Sequence, residues 1–144
     1  MDESIAGFID AKHIAVVGVS KRKFGGTIYR TLKQRGYQVY PVHPQTETFD
    51  GDRCSAGLAD LPDEVAAAVI AVKPAQAEGV VDDAKAAGIT TLWFQQGADF
   101  SKAIAHADAL GIQTISGKCI LMYASPVTGI HAVHRFFARL FGRL

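Results

Sequence analysis

The stretch of sequence that decides the fold is residues 14–26, which read Ile14-Ala15-Val16-Val17-Gly18-Val19-Ser20-Lys21-Arg22-Lys23-Phe24-Gly25-Gly26. An apolar run ends at a glycine and is followed by a serine, three cationic residues and a pair of glycines, and a helix is predicted next, over residues 27–35. A strand that turns at glycine into a helix N-terminus exposes backbone N–H groups and the positive end of the helix dipole at one place. The stretch therefore predicts a site for an anionic group, strengthened by the charges of Lys21, Arg22 and Lys23.

Short β-branched runs alternate with helical segments along the chain. The predicted strands are residues 13–19, 37–42, 66–72, 90–95 and 112–116, and the predicted helices are residues 27–35, 75–87 and 100–110. The strand segments are mostly apolar without alternation, which is typical of strands covered on both faces in a parallel sheet. Each predicted helix ends at a glycine, and a new strand begins directly after it. This rhythm predicts an α/β fold: a three-layer, Rossmann-like, doubly wound sheet of five to six mainly parallel strands.

Two segments depart from this rhythm. Residues 44–63 are polar, contain glycines and prolines, and are predicted as a loop with a short turn at 58–62. Residues 125–142 open with Ser125-Pro126, a pair typical of a helix start, and predict an extra C-terminal amphipathic helix. Its apolar stripe is Ile130, Val133, Phe137, Leu140 and Phe141, and its basic face carries His131, Arg135, Arg139 and Arg143. We expect this helix to dock on the sheet or on a partner, as in a homo-oligomer; contact with anionic lipid or an acidic protein is the alternative.

Length and composition limit the classes of protein to consider. At 144 residues the chain is predicted to be a single domain, 1–144, with its core in residues 8–122. A net charge of +1 gives no general reason to expect a nucleic-acid partner, and the longest apolar run, residues 65–72, is too short to span a membrane. The acidic N-terminus and the presence of only two cysteines favour a cytoplasmic protein.

Ligands of doubly wound sheets bind beyond the carboxyl ends of the strands. The residues that follow four of the predicted strands are small, polar or proline-containing: Gly18-Val19-Ser20-Lys21, Val42-His43-Pro44, Val72-Lys73-Pro74 and Gln95-Gln96-Gly97. Together with the cationic turn after the first strand, these four segments favour a nucleotide-binding site. The G-x-G-x-x-G fingerprint of dinucleotide binding is absent, and no acid follows the second strand to bind a free ribose diol. The sequence therefore favours a phosphorylated ribose and leaves NADP and coenzyme A as alternatives.

The same residues resemble a known family. The motifs that carry the resemblance are Gly18-Val19-Ser20-Lys21, Val42-His43-Pro44, Leu58-Ala59-Asp60-Leu61-Pro62, Val72-Lys73-Pro74 and Trp93-Phe94-Gln95-Gln96-Gly97. In this order and spacing they resemble the stand-alone bacterial CoA-binding domain proteins, which are similar to the nucleotide-binding domain of the succinyl-CoA synthetase α subunit. The resemblance covers residues 8–122 and implies a Rossmann-like fold that binds coenzyme A or an acyl-CoA. His43 is a departure, because the family usually has Asn at that position.

The resemblance also implies where the ligand would lie. Ser20 and Lys21 would contact its phosphates, residues 42–44 its adenosine end, and residues 72–74 and 95–97 would flank the remainder. The predicted ligand-contact residues are Gly18, Val19, Ser20, Lys21, Arg22, Phe24, Gly25, Val42, His43, Pro44, Val72, Lys73, Pro74, Gln95, Gly97 and Cys119. The phosphohistidine of the synthetase lies in a domain not seen in this sequence, so the resemblance does not imply ligase activity.

No catalytic constellation is visible in the sequence. There is no Ser-His-Asp set, paired-carboxylate motif or P-loop, and His43 is expected to hydrogen-bond a ligand rather than to catalyse. Cys119 is expected to be a small buried thiol, with a mixed disulfide to the thiol of coenzyme A as the alternative. A metal site from His131, His134 and Cys119 is conceivable, but a solvated histidine pair is expected.

The sequence thus predicts a protein that binds coenzyme A or an acyl-CoA without catalysis of its own. An NADP-binding oxidoreductase or redox sensor that uses the same cleft is the first alternative. A subunit whose bound nucleotide is structural, with the C-terminal helix as its interface, is the second.

Overall fold

The computed structural model describes residues 3–11, 13–20 and 23–124. Its helices are α1 Glu3–Ile9, α2 Phe24–Gln34, α3 Pro74–Ala86 and α4 Ser101–Ala109. Its strands are β1 His13–Val17, β2 Gln38–Val42, β3 Thr48–Phe49, β4 Asp52–Arg53, β5 Ala67–Ile70, β6 Thr91–Gln95 and β7 Gln113–Lys118. Single 3-10 turns lie at Leu58–Asp60 and Ile120–Met122. The predicted C-terminal helix, 125–142, lies outside the described residues.

Five of the strands form one parallel sheet in the order β2-β1-β5-β6-β7. Strand β1 lies between β2 and β5 and pairs parallel with both. The chain runs outward from β1 to β2 through α2, crosses back to β5, and continues outward on the other side through α3 and α4. A crevice forms where the strand order of a doubly wound sheet reverses. The predicted α/β fold, a three-layer Rossmann-like arrangement around a mainly parallel sheet, is confirmed.

The sheet separates two apolar cores, because successive strand residues point to opposite faces. Ile14 and Val16 of β1 lie in the first core, and Ala15 and Val17 lie in the second. The first core packs against α1 and α2, and the second against α3 and α4. Coverage of both faces explains why the strand segments read as unbroken apolar runs.

Glycines end the three helices that were predicted from them. Gly36, Gly88 and Gly111 have φ angles of 95°, 81° and 79°. These angles are in the left-handed region, which glycine adopts without the steric cost that a Cβ brings. The predicted helix ends are therefore confirmed.

Two helices differ from the prediction. Helix α1 was not predicted; it has seven residues and buries Ile5 and Phe8 in the first core. Helix α2 begins at Phe24 rather than at residue 27, so Gly25 and Gly26 are its second and third residues. Glycine is a poor helix former, so tertiary packing rather than propensity sets this start.

The segment predicted as a loop, residues 44–63, contains the hairpin β3–β4. Asp50 and Gly51 form its turn with φ angles of 52° and 80°, and a two-residue type I′ turn requires positive φ at both positions. Side chains hold the hairpin against α2: the Tyr29 hydroxyl donates to the Asp52 carboxylate, and Lys33 Nζ lies 2.7 Å from the same carboxylate. The hairpin therefore packs on the side of the sheet that carries the first core.

Beyond the hairpin the chain returns to β2. The Ser55 N–H donates to the Pro41 carbonyl, and the His43 N–H donates to the Ser55 carbonyl, each at 2.9 Å. Residues 43–45 and 56–58, the two ends of this excursion, are thereby placed close together. Among all the described helices, none combines the length and the apolar character needed to cross a membrane.

Candidate functional site

A cleft of about 740 Å³ opens at the carboxyl edge of the sheet, where the strand order reverses. Its volume falls in the range of roughly 300–1,000 Å³ that is typical of small-molecule sites. The ends of β1, β2, β5 and β6, the first turns of α2 and α3, and residues 56–58 all contribute to its lining. The four segments that follow the strands, noted in the sequence, therefore meet around one cleft.

Twelve of the sixteen predicted ligand-contact residues line this cleft. They are Gly18, Ser20, Phe24, Gly25, Val42, His43, Pro44, Val72, Lys73, Pro74, Gln95 and Gly97. Lys21 and Arg22 lie outside the described residues. Contact between the ligand and these side chains stays a prediction.

Val19 and Cys119 stand apart from this set. The Val19 side chain is fully buried in the first core, because its position in the turn after β1 points it beneath the loop. Cys119 is half-buried behind β6, where its Sγ accepts a hydrogen bond from Gln95 Nε2 at 2.9 Å. Neither side chain belongs to the lining given by the described residues.

The turn after β1 is packed tightly against the start of α2. Gly18 has a φ of 102°, and a Cβ built there would collide with the Ala71 carbonyl. A Cβ at Gly25 would overlap the Gly18 carbonyl oxygen, and one at Gly26 would overlap that of Ser20. The three glycines therefore let the helix end approach the turn at backbone distance, as close phosphate binding requires.

The two helices that begin at the cleft have no side-chain caps. Helix α2 starts after Lys23 and helix α3 after Lys73; neither lysine makes a capping hydrogen bond, and neither helix has an acid in its first turn. The N-cap residue of α4, Phe100, makes no capping hydrogen bond either, but the Ser101 N–H of that helix donates to the Asp99 carboxylate at 3.0 Å. Hydrogen bonds from Ser101 hold the pKa of Asp99 below its usual value. Two positive helix ends and two lysines therefore remain directed at the cleft.

His43 lies at the end of β2, half-buried in the cleft wall. The Gln45 N–H donates to its Nδ1 at 3.1 Å, and the Thr46 hydroxyl lies 3.3 Å from the same nitrogen. Behind it, burial raises the pKa of the Cys54 thiol, which lies 4.0 Å from the His43 carbonyl oxygen. The imidazole is thus held by its own loop rather than by a carboxylate.

Gln95 connects the cleft to the interior. Its side chain is 5 % exposed; Oε1 accepts from the Ile120 N–H at 3.2 Å, and Nε2 donates to Cys119. The carbonyl of the neighbouring Lys118 accepts from both the Trp93 indole and the Gln96 N–H. These bonds fix the wall of the cleft that follows β6.

Several lining residues were missed in the sequence. The cleft extends along α3 to Val80 and Asp83 and is closed opposite by Ala56, Gly57 and Leu58. Phe100, at the start of α4, also contributes. Only the helical spacing of Gln76, Val80 and Asp83, which places them on one side of α3, could have indicated them. Asp83 is the only acid among the described residues that line the cleft.

The other histidines of the described chain lie elsewhere. His13 Nδ1 is 2.7 Å from the Tyr40 hydroxyl, and His106 Nε2 is 2.6 Å from the Asp82 carboxylate on α3. Within residues 3–11, 13–20 and 23–124, no three His, Cys, Asp or Glu side chains are grouped as metal ligands would be. His131 and His134, the conceivable metal ligands, lie outside these ranges.

The fold and the cleft define a Rossmann-like domain with a cleft at the reversal point of its sheet. Residues 12–125 match the sequence profile of the CoA binding domain family. The match covers most of the chain, which therefore belongs to this family.

Solved structures show the same fold. A hypothetical protein from Pyrococcus horikoshii superposes with a TM-score of 0.78 at 30% identity, covering 85% of this chain and 88% of that one. A Thermus thermophilus protein superposes with a TM-score of 0.75 at 25% identity, covering 85% and 96%. The dinucleotide forming acetyl-coenzyme A synthetase 1 of Ca. Korarchaeum cryptofilum gives a TM-score of 0.66 at 30% identity, covering 74% of this chain but 26% of that one.

The curated relatives are much longer proteins. Acetate–CoA ligase [ADP-forming] II of Archaeoglobus fulgidus is 40% identical over 65 residues, which are 42% of this chain and 10% of the ligase. The α subunit of the Pyrococcus furiosus acetate–CoA ligase [ADP-forming] II is 34% identical over 68 residues, 45% of this chain and 15% of that subunit. The chain thus corresponds to a small part of each of these relatives.

Proposed function

We propose that this chain binds coenzyme A or an acyl-CoA in the cleft, with the diphosphate on the turn after β1. The observation that carries the proposal is the uncapped N-terminus of α2 beside that turn. The Gly26 N–H already donates to the Lys23 carbonyl at 3.1 Å, but the N–H groups of Phe24 and Gly25 come before any acceptor within the helix and are suited to phosphate oxygens. Gly18, Gly25 and Gly26 keep this approach free of side chains.

The rest of the cleft suits the rest of such a ligand. Lys23 and Lys73 supply positive charge, and Val72 and Phe100 supply apolar surface. Phe24 is 50 % exposed at the lip of the cleft, where an aromatic face can stack on a base. Membership of the CoA binding domain family and likeness to the acetate–CoA ligases support the choice of coenzyme A.

We also propose that binding, rather than catalysis, is the role of this cleft. Nδ1 of His43 is engaged by a backbone N–H, and Ser20, a lining hydroxyl, is not paired with it in the described structure. Among the described residues that line the cleft, no hydroxyl is hydrogen-bonded to His43 as the nucleophile and base of acyl transfer commonly are. Hydrolysis of acetyl-CoA by the purified protein above the rate in buffer would contradict this part of the proposal.

The first test is a calorimetric titration of ligand-free protein with coenzyme A, with NADP as the comparison. We expect coenzyme A to bind with micromolar or tighter affinity and NADP not to bind. Binding of NADP alone would replace the proposal with the oxidoreductase or sensor alternative. If neither coenzyme A nor NADP binds, a nucleotide site in this cleft is refuted.

A further inference from the structure

The end of β2 is where the ribose of a bound nucleotide lies in a doubly wound sheet, and His43 stands there. Its backbone is fixed, because its N–H donates to the Ser55 carbonyl at 2.9 Å. His43 therefore has a fixed place at the expected ribose position. Its hydrogen-bonding groups can be compared with those of a free and of a phosphorylated ribose.

The two ring nitrogens of His43 have different roles. Nδ1 accepts the Gln45 N–H at 3.1 Å. A ring nitrogen that accepts from an N–H carries no hydrogen of its own, so the neutral ring carries its hydrogen on Nε2. Within the described residues Nε2 has no hydrogen-bond partner. His43 thus offers the cleft one N–H donor.

The described lining of the cleft carries more positive than negative side-chain charge. A free ribose diol is usually held by a carboxylate that accepts from its hydroxyls. Asp83, on α3, is the only carboxylate of the described lining. Lys23 and Lys73 are the cationic side chains of the described lining. A group rich in acceptor oxygens, such as a phosphate, matches this chemistry.

We propose that His43 Nε2–H donates to a phosphate on the ribose of the ligand and so selects a phosphorylated ribose over a free diol. The inference rests on the proposed nucleotide site and names the chemistry of one end of its ligand. Coenzyme A carries such a phosphate at the ribose 3′ position and NADP at the 2′ position. Dephospho-coenzyme A and NAD are the matching ligands that lack it.

Two substitutions separate the donor from the support of the loop. In His43→Asn the side-chain oxygen can replace Nδ1 as acceptor of the Gln45 N–H, but no donor reaches the place of Nε2. In His43→Gln the longer side chain can place an N–H near the position of Nε2. His106→Asn, at a half-buried position of α4 outside the lining of the cleft, is the matched control.

The experiment is a calorimetric titration of each protein with coenzyme A and with dephospho-coenzyme A. The wild type and His106→Asn are expected to bind coenzyme A at least tenfold more tightly than dephospho-coenzyme A. In His43→Asn this preference should fall by about tenfold, the effect of losing one charge-assisted hydrogen bond, while dephospho-coenzyme A binds as before. His43→Gln should recover part of the preference.

An unchanged preference in His43→Asn, or equal weakening of both ligands, would overturn the role of His43 and leave the proposed function intact. If neither coenzyme form binds, the proposed function fails, and the NADP and NAD pair then decides the role of His43 by the same comparison. If NADP and NAD bind with equal affinity, or if neither binds, the inference is overturned as well.

Discussion

The carbonyl oxygen of Ser20 occupies the space in which a side chain at Gly26 would have to stand. Phe49 of the hairpin closes the same space from the other side, with its Cζ 2.9 Å from a Cβ built at Gly26. Gly26→Ala must therefore displace the turn after β1, the hairpin, or both. We expect a loss of roughly 1–3 kcal/mol in the free energy of unfolding, as for overpacking, and weaker binding of coenzyme A. Urea unfolding and calorimetric titration measure the two effects.

Gly79→Ala is the matched control for this substitution. Gly79 lies within α3, and a Cβ there would meet nothing within 4 Å. Because alanine is the better helix former, Gly79→Ala should raise stability by about 0.5–1 kcal/mol and leave binding unchanged. A Gly26→Ala protein as stable as the wild type would show that the turn after β1 yields easily.

The attachment of the hairpin to α2 is expected to depend on pH. Hydrogen bonds from Lys33, and then from Tyr29, hold the pKa of Asp52 below its usual value. A carboxyl whose pKa is lower in the folded state adds stability above its unfolded pKa of about 3.9, and this contribution is lost as the pH falls through the folded value. Asp52→Asn should therefore be less stable than the wild type at pH 5–7, and the difference should vanish towards pH 2.

Because the Asp52 side chain is 38% exposed, we expect a difference of about 1 kcal/mol or less at neutral pH. Urea unfolding at several pH values measures it. Lys33→Met should reproduce much of the loss, since the Lys33 hydrogen bond is the larger cause of the lowered pKa. A difference between Asp52→Asn and the wild type that persists unchanged at pH 2 would show that the carboxylate charge is not involved.

The lysine at the start of α3 is expected to contribute charge to ligand binding. Lys73→Glu reverses the charge at the cleft, and we expect the affinity for coenzyme A to fall tenfold or more and to become less sensitive to salt. Lys85→Glu makes the same change in net charge near the other end of the helix, about 18 Å away at 1.5 Å per residue. That control should bind nearly as the wild type does. Equal effects of the two substitutions in calorimetric titrations would mean that only net charge is sensed.

Gln95 is expected to stabilise the fold as well as to border the cleft. Gln95→Leu removes the acceptor of the buried Ile120 N–H and the donor to Cys119. Leaving a buried N–H unsatisfied costs about 1–3 kcal/mol, which urea unfolding would measure. Gln96→Leu, at the exposed neighbouring position, should change stability by about 0.5 kcal/mol or less. If Gln95→Leu is equally neutral, a water or a shifted backbone must satisfy Ile120.

The sequence was most informative where a local pattern and the tertiary fold demand the same thing. Gly36, Gly88 and Gly111 end helices because the chain must turn left-handed there, and that demand is visible in a single residue. The strands were visible because both faces of the sheet are covered, so that apolar residues fill every position. The cleft at the carboxyl ends of the strands followed from these elements, whereas the order of the strands in the sheet was not predicted.

The hairpin and the start of α2 were missed for different reasons. Thr48-Phe49-Asp50-Gly51-Asp52-Arg53 contains the Asp-Gly pair that favours a type I′ turn, but its strands have two residues each and show no periodicity. Gly25 and Gly26 argue locally against a helix and are helical because the turn after β1 must be approached closely. Only the packed structure reveals that demand.

The far part of the cleft was not predicted from the sequence. Val80 and Asp83 line it because α3 packs against the turn that begins at Leu58. The site was predicted from the residues that follow the strands. Those residues alone do not define this arrangement. Likewise, Val19 follows the same exit as Gly18 but turns its side chain into the core.

The Asp99 carboxylate accepts the Ser101 N–H at the start of α4, whereas the lysines that precede α2 and α3 make no such hydrogen bond. Under the proposed function, a phosphate would do for those two helices what Asp99 does for α4. The ligand would then complete the secondary structure as well as occupy the cleft. A domain arranged in this way forgoes stability while it is empty and recovers it on binding, so natural selection for the ligand would also keep these two helix starts poor in Asp, Asn, Ser and Thr.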